Sequence, residues 1–189
     1  MDFGLREKKA VVCAASRGLG LATAKALAKE GCQLHLLARS ADLLEDACST
    51  LKKEYGVATS FTACDLAKPA HIPDVVHDIR SKMGNPDVLI NNIGGPKPSP
   101  AFGTPAEAWQ SGFEQLFLSS TLLTQQLLPT MRQALWGRVI TITSISVVEP
   151  IDHLAVSTAM RAAVTGFHKT LAREVAADGV TVNLSLIHI

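Results

Sequence analysis

The sequence predicts an α/β protein: a doubly wound parallel sheet with helices on both faces. Two observations carry this. Short β-branched or aliphatic runs take turns with helical patterns along the whole chain, and such alternation builds right-handed βαβ units. The first strand also runs into a glycine-containing turn that opens a helix. With 189 residues and 47% hydrophobic content, one domain with a sizeable core is expected.

The elements follow in order. AVVCAA (10–15) is the first strand and LATAKALAKEG (21–31) the helix after it. CQLHLLA (32–38) and VATSFTAC (57–64) are the second and third strands, separated by the helix ADLLEDACSTLKKEY (41–55). A helix through VVHDIRSKM (75–83) leads to the fourth strand, DVLINN (87–92). The loop GGPKPSPAFGTP (94–105) comes next, with four prolines and three glycines that forbid regular structure. It follows a strand end, where ligands bind in open α/β sheets, so it is either a rigid connector or part of substrate access. A long helix over 106–131, the strand RVITITS (138–144), a helix over 155–177 and the strand VTVNLSL (180–186) complete six strands. No internal repeat or low-complexity tract interrupts them.

Charge and composition narrow the function classes. Eighteen basic and seventeen acidic side chains leave a formal charge of +1, and no Lys/Arg run is dense enough to track a phosphate backbone, so nucleic acid is not an expected partner. MDFGLREKKA lacks the apolar core of a signal peptide and no segment approaches eighteen uninterrupted apolar residues, so a cytoplasmic location with no membrane partner is expected. Cys13, Cys32, Cys48 and Cys64 lie far apart without metal-ligand spacing; they are expected as buried reduced thiols, with no metal site.

Gly18 and Gly20 stand at the first strand–helix turn. Backbone N–H groups at a helix start point at an anion, and glycine lets a pyrophosphate approach the main chain. Arg39 follows Gly20 by nineteen residues, at the end of the second strand. An acidic residue there would bind the ribose of NAD, whereas a guanidinium suits the extra 2′-phosphate of NADP. The expected fold is thus Rossmann-type and the expected cofactor NADP, NAD being the poorer match, with Arg17 as a second cation nearby.

On these residues the chain resembles the short-chain dehydrogenase/reductase family. The family's Thr-Gly-x-x-x-Gly-x-Gly motif stands here as Cys13-Ala14-Ala15-Ser16-Arg17-Gly18-Leu19-Gly20, with Ala14 for the first glycine. Asp65 follows the third strand where the family contacts adenine, and Asn91-Asn92-Ile93-Gly94 matches the Asn-Asn-Ala-Gly strand end. With RVITITS and TVN in order, the likeness covers residues 8 to 183. It implies a cofactor site of Ala14, Ser16, Arg17, Gly18, Leu19, Gly20, Arg39, Ser40, Asp65, Leu66, Asn92, Ile93 and Gly94. The extra methyl of Ala14 is tolerated if that turn residue keeps an ordinary backbone conformation. Within the family the general resemblance is to bacterial 3-oxoacyl carrier-protein reductases and sugar dehydrogenases.

The catalytic pattern departs from the family. There a tyrosine transfers the proton, a lysine lowers its pKa, a serine holds the substrate oxygen and an asparagine supports a water relay. The resemblance places Ser144 at the serine, but Ser157 at the tyrosine, Arg161 at the lysine, and Leu116 or Phe117 at the asparagine. Tyr55 is the only tyrosine and precedes the third strand. A serine hydroxyl is a far weaker acid than a phenol of pKa about 10, and an arginine cannot relay protons. Losing a positioned general acid costs about 10²- to 10⁴-fold in rate. Two rescues are open: Arg161 stabilises a developing alkoxide with Ser144 and Ser157 as donors, or His153 acts as general acid.

The resemblance leads to an NADP-dependent oxidoreductase transferring hydride between nicotinamide and a small carbonyl or hydroxy substrate, with Ser144, Ser157 and Arg161 as non-standard catalytic residues. The alternatives are a non-catalytic dinucleotide-binding protein or an inactive fragment. After TVN the sequence reads LSLIHI instead of the family's Pro-Gly turn, so residues 1–183 are expected as the dinucleotide-binding domain and 184–189 as an aberrant or truncated tail. The resemblance also implies a homodimer or homotetramer built on the helices at 106–131 and 155–177, whose apolar faces include Leu122, Leu127, Ala163 and Phe167.

Overall fold

The computed structural model describes residues 2–187. Six strands, β1 (Lys9–Cys13), β2 (Gln33–Ala38), β3 (Thr59–Ala63), β4 (Val88–Asn91), β5 (Gly137–Ser144) and β6 (Val180–Ile187), form one sheet in the order β3-β2-β1-β4-β5-β6. Every pairing is parallel. The winding reverses between β1 and β4, which opens a crevice at the carboxyl edge of the sheet.

The helices are α1 (Gly18–Lys29), α2 (Ala41–Tyr55), α3 (Ile72–Met83), α4 (Ala106–Gly112), α5 (Ser119–Gln133) and α6 (Ala155–Val175). Alternation along the strands sorts them onto two faces. Val11, Leu89, Val139 and Val180 pack with Ile79 of α3, Leu127 of α5 and Leu171 of α6. Val12, Leu36 and Ile90 face the other way, onto Ala24 of α1 and Leu44 and Leu51 of α2. Both faces are therefore dry, which is why the strands read as near-continuous apolar runs.

Among the polar side chains buried within this frame, one ties β2 to β3 and α3. His35 on β2 is wholly buried and spans two hydroxyls of β3, with Nδ1 2.8 Å from Ser60 and Nε2 2.9 Å from Thr62. Thr62 gives its own proton to Asp78 on α3, so Nε2 must be the donor and Nδ1 accepts from Ser60. Asp78 also takes a bond of 2.7 Å from Lys82. Burial, with the Lys82 charge adding to it, pushes the His35 pKa down to about 4.

Two expectations differ from the structure. The long helix over 106–131 is divided: a π-turn at Phe113–Leu118 joins α4 to α5, and the Ser119 hydroxyl donates 2.9 Å to the Glu114 carbonyl five residues back. The helix expected over 155–177 ends at Val175, followed by a 3₁₀ turn at Ala176–Asp178. The sixth strand, expected over 180–186, is present as β6, with Leu184 and Ser185 pairing with Thr141 and Ile142 in register with the residues before them. Of the expected association residues, Leu127 is consumed by the core, Leu122 and Phe167 are half-buried, and Ala163 is exposed. Cys13, Cys32 and Cys48 are buried free thiols, and Cys64 is half-buried. Among the described residues no helix is long and apolar enough to cross a membrane.

Candidate active site

The β1–α1 turn has an unusual backbone. Ala14 takes φ 50°, the left-handed conformation that favours glycine, so the ordinary conformation expected for it is not adopted. The reason lies six residues on: a Cβ on Gly20 would stand 2.2 Å from the Ala14 carbonyl oxygen, so α1 starts pressed against this turn. Arg17 is the N-cap of α1 without any side-chain cap, and the first turn carries no acidic residue. Its leading N–H groups and dipole thus face the crevice without a protein anion, the donor set a pyrophosphate needs.

A cleft of about 630 Å³ runs from this turn across the carboxyl edge. Ala14, Ser16, Arg17, Leu19, Arg39, Ser40, Asp65, Leu66, Asn92, Ile93 and Gly94 all line it. Gly18 and Gly20 of the expected set do not; Gly20 works through the close approach just described, and Gly18, at φ 56°, through its backbone turn. Ser40 caps α2, accepting from the Leu43 N–H, which leaves Arg39 exposed beside it and without an ion pair among the described residues. Asp65 accepts from the Ala67 N–H at 3.1 Å. The residues present therefore fit a dinucleotide: donors at the helix start, a cation at the end of β2 and a carboxylate after β3.

Ser144, Ser157 and Arg161 do not line this cleft; Ser157 and Arg161 of α6 stand just beyond Gly95 of its wall. Arg161 is half-buried and fans out over three segments: Nε donates to Ser157 Oγ (3.2 Å), Nη1 to the Ile142 carbonyl (3.2 Å) and Nη2 to the Ile93 carbonyl (3.4 Å). Its partners are all neutral; no carboxylate lies within ion-pair distance among the described residues. Burial pushes the guanidinium pKa down, though an arginine remains charged. Ser157 is buried, with a lone pair engaged by Arg161 and its O–H free to donate. Ser144, at the carboxyl end of β5, accepts from the Ser146 N–H at 3.1 Å, leaving its O–H free as well. Leu116, on the π-turn, borders a cavity of about 20 Å³ beside Arg161, an apolar group where the resemblance implied an amide.

A polar chain supports this corner from below. Asn91 Nδ2 donates to Thr124 (2.9 Å) and Thr141 (3.3 Å), and Thr141 bonds to His168 Nε2 at 2.8 Å. His168 Nδ1 lies 2.9 Å from the Val164 carbonyl, an acceptor only, so Nδ1 carries the proton and Thr141 donates to Nε2. His153 lies in the loop before α6 at φ 59°, exposed. Tyr55 ends α2 and is not among the residues lining the cleft.

Two site residues escaped the sequence reading. Gln115 lines the cleft and fastens its wall, donating 2.6 Å to the Gly94 carbonyl; nothing in its sequence context marks it. Gly95 also lines the cleft, and a Cβ there would stand 3.8 Å from both Arg161 Nη2 and Ser157 Oγ. The doubled glycine after Ile93 was the available signal. The proline-rich loop is held as a wall: Ser99 pairs with the segment before α6 through its N–H to the His153 carbonyl (2.6 Å) and its carbonyl to the Ala155 N–H (3.1 Å).

Comparison with known proteins bears on this geometry. The family model for short chain dehydrogenases matches residues 8–186. The chain is 32% identical over 177 residues to the 3-oxoacyl-[acyl-carrier-protein] reductase FabG of Escherichia coli, a stretch that is 94% of this chain and 71% of that protein. It is 29% identical to the D-beta-hydroxybutyrate dehydrogenase of Cupriavidus necator over 95% of this chain and 69% of the relative. Among solved structures, the L-sorbose reductase of Gluconobacter frateurii, complexed with NADPH and L-sorbose, matches with a TM-score of 0.93 and 37% identity, covering 97% of this chain and 70% of that one. An NADPH-bound short chain oxidoreductase of Pseudomonas aeruginosa, described as containing an atypical catalytic center, matches with a TM-score of 0.89 and 26% identity, over 97% of this chain and 73% of that one.

Proposed function

The chain belongs to the short chain dehydrogenase family, and from that membership we propose that it is an NADP-dependent oxidoreductase acting on a small carbonyl or hydroxy compound, in the manner of a 3-oxoacyl reductase. One observation carries the reading: Arg39 stands alone at the end of β2, on the same cleft as the uncapped start of α1 and the Ser157–Arg161 pair's neighbour Gly95. A 2′-phosphate is the ligand group that a free guanidinium at that strand end would take up. The NADPH named with two of the matched structures supports the same choice.

When bound, the reduced nicotinamide supplies the hydride that turns a carbonyl carbon into a carbinol. Ser144 and Ser157 each turn a free O–H toward the substrate oxygen and hold it. Arg161 places positive charge beside Ser157 and stabilises the negative charge that develops on that oxygen, most strongly because the site is half-dry. Neither serine nor Arg161 is an acid near neutrality, so the proton comes from water and turnover is slow. A working protein built as a homodimer or homotetramer on α4, α5 and α6 accords with the half-buried Leu122 and Phe167 on those helices.

A second reading, a non-catalytic dinucleotide-binding protein, is favoured by one feature, the lack of any tyrosine along the cleft. The two separate on NADPH oxidation with 3-oxo esters, thioesters and keto sugars. The oxidoreductase reading expects measurable turnover that falls at least tenfold in Arg161→Met and in Ser157→Ala. Saturable NADPH binding without turnover across the panel would establish the second reading instead.

A further inference from the structure

Arg161 has five N–H donors and only three of them have partners, all neutral. A half-buried guanidinium that no protein carboxylate compensates keeps a demand for an anion. The other charges of the cleft do not meet it. Arg17 and Arg39 are also cations, and Asp65, the one acid along the cleft, lies after β3 and is held by the Ala67 N–H.

Gly95 makes the pair reachable. Its backbone is not in the left-handed region that would demand glycine, so conformation does not account for the missing side chain. A Cβ at 95 would fit in ordinary contact, 3.8 Å from Arg161 Nη2 and 3.8 Å from Ser157 Oγ; what glycine leaves open is the approach to those two donors, which a side chain longer than a methyl would cover.

We propose that the space bounded by Gly95, Ser157 and Arg161 is a carboxylate subsite, and that the substrate is a short oxo acid, ionised, with its carboxylate one or two carbons from the reducible carbonyl. The inference rests on the oxidoreductase reading and deepens it. The two remaining guanidinium N–H groups take the carboxylate, a match of planar fork to planar anion. The adjacent carbonyl oxygen then falls to the serine hydroxyls. An ester or thioester of the same skeleton offers no charge and forfeits the first contact.

The test is calorimetric titration of acetoacetate and methyl acetoacetate, and of pyruvate and methyl pyruvate, into the chain saturated with NADP⁺. At least one acid is expected to bind tenfold or more tighter than its ester. Arg161→Met should bring acid and ester within twofold, Arg161→Lys should restore part of the preference, and Gly95→Ala and Gly95→Val, each compared at its own saturating NADP⁺ concentration, should weaken the acid stepwise. Equal affinity for acid and ester, no binding of either acid at millimolar concentration, or a preference that survives Arg161→Met overturns the proposal. The NADP⁺ titration that precedes these measurements reports on the cofactor reading separately. If the cofactor does not bind, the same acid–ester comparison on the free chain still decides the subsite, because its donors all belong to this chain.

Discussion

Ala14 holds a left-handed backbone at φ 50°, which costs an alanine about 1 kcal/mol that a glycine would not incur. Ala14→Gly is therefore expected to raise the urea midpoint at unchanged slope, by up to about 1 kcal/mol, and to leave NADPH affinity within a few-fold. Gly20→Ala places a methyl 2.2 Å from the Ala14 carbonyl, so the helix start must shift; a loss of about 1–3 kcal/mol together with weaker NADPH binding is expected. Equal stability of Gly20→Ala and the parent would contradict the close approach. The residues of this turn were legible as a motif, because glycines in a first strand–helix turn have a mechanism. The conformation at Ala14 was not, since it is imposed by how closely α1 is seated, and that is a tertiary fact. Gly95 was equally hidden: its meaning depends on Ser157 and Arg161, sixty and more residues away in the chain.

At the scale of elements, β2, β3 and α3 are tied by the His35, Ser60, Thr62, Asp78 and Lys82 chain. The folded His35 pKa of about 4 lies below the unfolded value of about 6.5. The unfolded chain therefore binds more protons between these values, and stability is full above pH 6.5 and falls as the pH drops toward 4. The difference is on the order of 3 kcal/mol. The Asp78 carboxyl, held below its usual range by its bonds from Lys82 and Thr62, loses stability in the same direction at still lower pH. Thermal melts from pH 7 to pH 4 should show the drop, and His35→Gln should flatten it between 6.5 and 4; an unchanged slope in that variant would sink the assignment. Strand and helix existence was readable from apolar runs and helical period. The π-turn at Phe113–Leu118 was not, because one inserted residue barely disturbs a helical pattern, and only the register of Ser119 on the Glu114 carbonyl reveals it.

For the whole molecule, the strand order places the reversal between β1 and β4 and so decides which loop ends share a cleft. Five separate stretches of chain line it, from the β1–α1 turn to Gln115 on the π-turn, and alternation of strand and helix was enough to foresee the convergence of the four that follow strands. It was not enough to foresee that Gln115 closes the same cleft, because that depends on where the π-turn sets the side chain. Association is expected at the same scale. Sedimentation at micromolar concentration should give a dimer or tetramer, and Phe167→Glu on α6 should shift it toward monomer; a parent that sediments as a monomer would remove the proposed assembly.

The cofactor cleft is the central feature of the molecule, and a titration of the purified chain with NADPH and then NADH, followed by nicotinamide fluorescence, tests it most directly. Saturable binding that favours NADPH by tenfold or more is expected, with the preference lost in Arg39→Ala, as the removal of a charge-assisted contact worth about 1.5–3 kcal/mol requires. Binding that favours NADH, or no saturable binding of either, would contradict it.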